Sequence, residues 1–312
     1  MGTTTIRSTT RRMLADEAID AIAIYTPDPL HGRHIRQALA AGKHVICTKP
    51  LLSSLDEARA VYEAWAGSGL YVFVGQSTRF FEPMIHQRED YEAGRYGALH
   101  TIETAYNSDA RWFLDKGWST RNGFSWLFNF LSHGADLIRW YMPDVDEVMG
   151  FGRVAGHAAD RDLHAPNTMH FVMRARSGMI ARCSGSYVAP ALPYDFHPQI
   201  SCTLRGDTGS GCAEYSNLRY TATFDEAEIH QYDELEPYYF RFEGRSHHAG
   251  EYQNYFDYFA RCLRDGTTPR PDLIEGLGTI ALLQAMDLSM REGRPVRLYD
   301  VIDAYGLGDI LG

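Results

Sequence analysis

The sequence predicts an α/β fold that opens on an incomplete, Rossmann-type parallel sheet, and three observations carry that expectation. Short, nearly unbroken apolar runs occur at 21–25, 44–47 and 70–74, helical periodicity fills the intervals, and turn-forming residues or a lysine-proline pair close the first two runs. Runs of this kind read as strands buried on both faces. Strands that alternate with helices read as βαβ crossovers in a parallel sheet.

Taken in order, a short helix at 11–18 leads to Ala21-Ile-Ala-Ile-Tyr25, which Thr26-Pro-Asp-Pro29 ends abruptly. From Leu30 to Ala41 the pattern is helical, with Gly42 where a left-handed C-terminal cap belongs, and His44-Val-Ile-Cys47 is the next strand. Ser54 and Glu57 have the spacing of a capping box for a helix running to about Trp65. Gly67 and Gly69 then lead into Leu70-Tyr-Val-Phe-Val74. Ligands of a doubly wound sheet bind beyond the carboxyl ends of its strands. Here those ends carry Thr26 to His31 and Thr48-Lys49-Pro50.

The 312 residues exceed the roughly 100 to 200 of one ordinary domain, so one large or two medium domains are expected. With 45% hydrophobic and 22% charged residues, the composition is that of a folded chain. A net charge of −10 argues against nucleic acid and for a small-molecule ligand. Five dispersed cysteines, none in a CxxC pair, suit a reducing cytoplasm. The first residues lack the apolar core of a signal peptide, and no run reaches the ~18 apolar residues of a membrane span. A cytoplasmic protein with no membrane partner is the expectation.

Several motifs occur in a recognisable order: Thr26-Pro-Asp-Pro-Leu-His31, Ala41-Gly-Lys-His-Val45 into Cys47-Thr-Lys-Pro50, Val74-Gly-Gln-Ser-Thr-Arg-Phe80, and Gly123 to Trp140 with Asn129, His133 and Asp136. Together they resemble the glucose-fructose oxidoreductase and inositol dehydrogenase (Gfo/Idh/MocA) family over roughly residues 10 to 300. The resemblance implies a partial dinucleotide-binding domain at 1–76 and an α+β substrate-binding domain at 77–312 with a large, mostly antiparallel sheet. Arg174 to Ser184 looks like a hairpin of that sheet, and the segments around 259–266, 282–289 and 293–298 look like its closing helices and last strand. It further implies a homo-oligomer assembled through the open face of the sheet, a carbohydrate-like substrate, and NAD or NADP as cofactor. The cofactor would meet Thr26, Pro27 and His31 on the first loop, Thr48, Lys49 and Pro50 on the second, and Gln76 after the third strand. In the family the second segment usually reads Glu-Lys-Pro and the helix carries an aspartate where Asn129 stands, so Thr48 and Asn129 depart from the pattern.

A complete dinucleotide fold opens with a strand, a Gly-rich turn and a helix that holds the pyrophosphate. No such unit precedes Ala21, and Gly150-Phe-Gly-Arg-Val-Ala-Gly156 has its third glycine one residue late and lies inside the substrate-domain match. The expectation is that the 21–25 strand forms a sheet edge, covered by a longer N-terminus, by another chain or by a rearranged segment.

The candidate catalytic residues are Lys49, His133 and Asn129. Oxidation of a secondary alcohol needs a group to take the hydroxyl proton, and histidine titrates near neutral pH. His133 fills that role, the alternative being a helix histidine satisfied by its neighbours. Lys49 donates a charged hydrogen bond to the same oxygen, whereas Asn129, a neutral amide, orients without raising basicity. Residues four and three apart share a helix face, which brings Asn129 and His133 to one substrate and sets Asp136 a turn deeper. Two other readings stay open: a lyase, epimerase or cyclase using Lys49 and His133 without nicotinamide, and an inactive binding or scaffold homologue. No metal site is expected, because His247-His248 has no further ligands at a recognisable spacing. Trp112, Trp118 and Trp126 either line a sugar cleft or pack in the core. The segment 232–242 reads as a strand or a dimer surface, and Arg11-Arg12 and Arg88 to Asp90 as solvated faces.

Overall fold

The computed structural model describes residues 11–115, 124–155, 165–193, 197–232 and 251–312. The calls on Trp118, His247-His248, Gly156 and nearly all of 232–242 fall outside these residues. A short helical stretch at 11–15 precedes a three-stranded parallel sheet ordered β1-β2-β3. Its strands are β1 (Ala21–Ile24), β2 (His44–Thr48) and β3 (Val72–Gly75), joined through α1 (His31–Ala40) and α2 (Ala58–Trp65). Val45, Cys47, Val72, Phe73 and Val74 are at most 1% exposed, so β2 and β3 are buried on both faces as expected, whereas β1 is not: at the sheet edge it buries only Ile24 and leaves Ala23, and Tyr25 just after it, exposed. Gly42 adopts φ +71°, the left-handed conformation that ends α1. Among the described residues β1 pairs with β2 alone and is a sheet edge.

The capping box at Ser54 does not form. Ser54 Oγ instead accepts from Asp56 N at 3.3 Å, and Glu57 is drawn 3.0 Å from Arg36 on α1, so α2 begins at Ala58. A box does form at Asp272 and Glu275. Asp272 Oδ1 accepts from Glu275 N at 3.0 Å and Asp272 N donates to Glu275 Oε2 at 3.1 Å.

Among the described residues the second sheet has nine strands, ordered β11 (Ala227–Gln231), β10 (Arg219–Thr223), β9 (Ser210–Tyr215), β8 (Ile200–Gly206), β4 (Leu99–Asn107), β7 (Ile180–Ser186), β6 (Thr168–Ala175), β5 (Val145–Arg153) and β12 (Val296–Arg297), and all neighbours are antiparallel except β4 and β7. The expected hairpin is present, β6 (Thr168–Ala175) turning into β7 around Gly178 at φ +92°. The α/β class with a parallel sheet and a large, mostly antiparallel one therefore holds. Helices α3 (Glu82–Glu92), α4 (Ser132–Tyr141) and α6 (Leu273–Glu292) pack against one face of this sheet, while α5 (Glu251–Asp265) packs on β3 and the turn that follows it. The other face leaves Phe151 of β5, Val172 of β6 and Ile180 of β7 exposed, with Phe151 opposite His170, Val172 opposite Arg182 and Ile180 opposite Arg174. Helix α6 is long and apolar enough to cross a membrane, yet most of it is buried within the protein, where it packs on α4, β3 and β5.

Gly150 and Gly152 are packing glycines of β5. A Cβ on Gly150 would lie 2.0 Å from Phe171 Cδ1 on the paired strand, and one on Gly152 would lie 2.4 Å from Met290 Sδ. Gly150→Ala is expected to destabilise the protein by about 1–3 kcal/mol through overpacking, read as a lower urea midpoint. An unchanged midpoint would mean that Phe171 turns aside at no cost.

The stretch Arg88 to Asp90 is not a solvated face. Arg88 stands 5.0 Å from the ring centroids of Tyr91 and Trp140 and donates to Trp140 O at 2.6 Å. Asp90 is 7% exposed and accepts from Tyr220 and Arg95 at 2.7 and 2.9 Å. Asp90 thus faces β10 through Tyr220 and Arg88 lies against Trp140 of α4, each met by specific partners, while Glu89 between them is exposed. Charge alone could not reveal it, since long side chains bury their stems and find partners at their tips.

Candidate functional site

Parallel pairing of Ile24 with Cys47 sets the loops after β1 and β2 side by side at the carboxyl edge of the small sheet. His31, at the start of α1 and fully buried, ties them together. Its Nε2 lies 2.8 Å from Thr26 O and its Nδ1 2.8 Å from Pro50 O. Thr26 Oγ1 lies 3.2 Å from His34 Nδ1, and Pro27 caps the single turn Asp28–Leu30. Thr48 ends β2 beside Gly75, and Gln76, 2% exposed, has its side-chain Oε1 without a donor among the described residues.

Lys49 reaches from the end of β2 to the helix of the large sheet, where its Nζ donates to Asn129 O and lies 5.7 Å from the centre of the Phe130 ring. It keeps some accessible surface but is crowded by protein, and that burial pushes its ammonium down to about 8 while Asp28 opposes the shift. Asp28 is also half-buried. Burial raises its carboxyl, against His31, Lys49 and a hydrogen bond from the Asn129 side chain.

The helix carrying the second half of the site is not regular. Residues Leu127–Leu131 form a π-helical turn before α4 starts at Ser132. Such wide turns are rare and concentrate at functional sites. Asn129 sits in this turn, its N donating to Ser125 O at 2.8 Å and its Nδ2 to the same oxygen at 3.2 Å. His133 follows on α4, 2% exposed, with Nδ1 3.5 Å from Thr78 Oγ1 and its ring centre 5.9 Å from that of Tyr106. Asp136 lies one turn deeper, as its spacing predicts. It is fully buried and receives two hydrogen bonds from Arg79 at 2.7 and 2.8 Å.

The structure thus gathers Lys49, Asn129, Thr26 and His31 at one junction and sets His133 beside Tyr106, whose ring centre lies 5.8 Å from that of Phe130. Trp126 packs in the core, stacked on Tyr187 at 5.5 Å, while Trp112 is exposed. Sequence reasoning missed Asp28, Thr78, Tyr106 and the π turn. Asp28 had a signal, a carboxylate between two prolines at a strand's carboxyl end. The π turn had none, because its residues keep a helical apolar pattern.

A βαβ layer with a lysine at its carboxyl edge, facing a helix that backs a large mixed sheet, defines a Rossmann-type layer joined to a separate α/β layer. The chain belongs to the Gfo/Idh/MocA oxidoreductase family, residues 3–76 matching its NAD-binding Rossmann fold and residues 89–298 its C-terminal alpha/beta domain. It is 26% identical to a D-xylose 1-dehydrogenase (NADP(+)) of Haloferax volcanii, over 96% of this chain and 86% of that one. It is also 26% identical to a scyllo-inositol 2-dehydrogenase (NAD(+)) of Bacillus subtilis, over 94% and 81%. Among solved structures, an oxidoreductase from Agrobacterium radiobacter in complex with NAD+, L-tartaric acid and magnesium shares the fold, with a TM-score of 0.80, 18% identity and coverage of 93% and 83%.

Proposed function

We propose that this protein oxidises a hydroxyl group of a sugar, polyol or related compound with NAD or NADP, in the cytoplasm. The observation that carries the reading is the meeting of Lys49, from the carboxyl edge of the parallel sheet, with the Asn129 turn that leads to His133. The nicotinamide end of the cofactor fits this edge: Thr26, Pro27 and His31 form one wall, Thr48, Lys49 and Pro50 the other, and Gln76 offers a buried carbonyl oxygen that lacks a donor. A strand, Gly-rich turn and helix for the pyrophosphate are not found among the described residues. When bound, the nicotinamide supplies a hydride acceptor for the carbinol carbon. Lys49 then donates a charge-assisted hydrogen bond to the hydroxyl oxygen, His133 takes its proton, and Asn129 fixes the position of the lysine through its main-chain oxygen. Phe130 and Tyr106 keep this region apolar and limit water. The division near residue 76 and a homo-oligomer formed through the face bearing Phe151, Val172 and Ile180 belong to the same proposal.

Titration of the 312-residue chain with NADH and NADPH, followed by energy transfer from tryptophan to the reduced nicotinamide, tests the reading. Saturable binding in the micromolar range supports it. No binding at millimolar cofactor removes it and leaves a lyase, epimerase or cyclase using Lys49 and His133.

A further inference from the structure

We propose that Thr78 is the positioning residue of the proton acceptor, its hydroxyl oxygen accepting from Nδ1–H of His133 and so leaving Nε2 as the nitrogen that takes the substrate proton. The consequence for turnover rests on the oxidoreductase reading; the state of the ring does not.

Thr78 lies in the tight turn Ser77–Phe80, which follows β3 and is closed by Arg79 N donating to Gln76 O at 3.1 Å. His133 lies on α4, and Asp136, three residues on, shares its face. Neighbours on the turn therefore meet neighbours on the helix. Thr78 Oγ1 stands 3.5 Å from His133 Nδ1, and Arg79 makes its two hydrogen bonds to Asp136 at 2.7 and 2.8 Å. The second pair fixes the first. A bidentate guanidinium–carboxylate pair sets distance and orientation together, so it holds the turn at one height along α4, and with it the threonine at the histidine. Arg79 is itself anchored on α6 through Glu275 at 3.1 Å.

Burial gives the contact its consequence. Thr78 is 1% and His133 2% exposed, and the Tyr106 ring centre stands 5.9 Å from that of the imidazole. With bulk water kept off, the hydrogen bond at one ring nitrogen decides which of the two carries the proton. A hydroxyl can donate or accept, but only one choice suits a base. A threonine that donated to Nδ1 would put the ring proton on Nε2, and neither nitrogen would then offer a lone pair to the substrate. The separation of 3.5 Å is long for a hydrogen bond, and such contacts in unliganded sites tighten when substrate binds.

The chain has 13 histidines, and His133 is assigned in a long-range proton–nitrogen spectrum of protein labelled with 15N-histidine by the signals that His133→Gln removes. In the wild type at about pH 9, where an ordinary histidine is neutral, the ring is expected to carry its proton on Nδ1. Thr78→Val, which keeps the shape and removes the oxygen, is expected to move the ring toward the Nε2–H form, and Thr78→Ser to keep Nδ1–H. In Thr78→Val kcat is expected to fall about 10-fold or more with little change in KM, a part of the roughly 100- to 10,000-fold that a placed base contributes. Thr78→Ser is expected to recover most of that loss. The wild-type spectrum needs no variant, so the proposal can be overturned even if Thr78→Val does not fold. A wild-type ring with its proton on Nε2 overturns it, and so does a folded Thr78→Val protein that keeps Nδ1–H. An Nδ1–H ring that changes in Thr78→Val, in a protein oxidising no sugar or polyol, upholds Thr78 and removes the oxidoreductase reading. Oxidation by a protein whose ring carries Nε2–H does the reverse.

Discussion

Arg79→Met is expected to cost the fold about 3–5 kcal/mol, because it removes the cation hydrogen-bonded to the buried Asp136 carboxylate and leaves only the through-space charge of Arg139. Arg79 is 5% exposed and Asp136 fully buried, and two parallel hydrogen bonds join them. Arg79 also donates to Glu275 Oε1 at 3.1 Å and stacks over Trp140 at 5.2 Å, so one guanidinium connects the turn after β3 to α4 and α6. Thr279 Oγ1, at 3.4 Å, is too weak a donor to replace it. The double variant Arg79→Met with Asp136→Leu is expected to recover much of the loss, since an apolar pair carries no desolvation cost.

The pH dependence of the single variant follows from the sign of the shift. Burial raises the Asp136 carboxyl and Arg79 opposes that rise. Without Arg79 the native-state pKa climbs further above the unfolded value, so the variant binds a proton on folding. Its stability relative to wild type is therefore best at low pH and is lost as pH rises through the native-state pKa. Urea unfolding at about pH 5 and pH 8 measures this. A deficit that is equal at both would show that lost packing, rather than an unpaired charge, sets the cost.

What the sequence could disclose divides along physical lines. The apolar run at 44–47 became a strand because burial on both faces leaves a composition no other element needs, whereas the run at 21–25 became an edge strand that buries only Ile24, and Gly42 marked a helix end because its φ of +71° excludes most side chains. The Ser54 box failed because Glu57 had a better partner in Arg36, a residue on another helix that spacing cannot see. Arg88 and Asp90 were misread for the same reason, their partners Trp140, Tyr220 and Arg95 being distant or off the helix. At the site, Lys49 and His133 were legible as residue types at strand and helix positions. Their environment was not. That Lys49 is crowded and that Asn129 lies in a π turn are products of two sheets meeting, and no local pattern encodes them.

Lys49 therefore provides the sharpest test of the chemistry. Lys49→Met is expected to lower kcat about 100- to 1,000-fold, the usual effect of removing one preorganised donor to a developing oxyanion, with little change in the urea midpoint. For the wild type, turnover is expected to fall as pH rises through about 8, because the ammonium that must donate is lost there. Lys49→Arg separates this cause from others. A guanidinium stays protonated throughout the range, so the alkaline limb should vanish even where the maximum rate is reduced by the altered reach. A limb that persists near pH 8 in Lys49→Arg would belong to another group, and the role assigned to the lysine would pass to one whose proton is lost at the same pH.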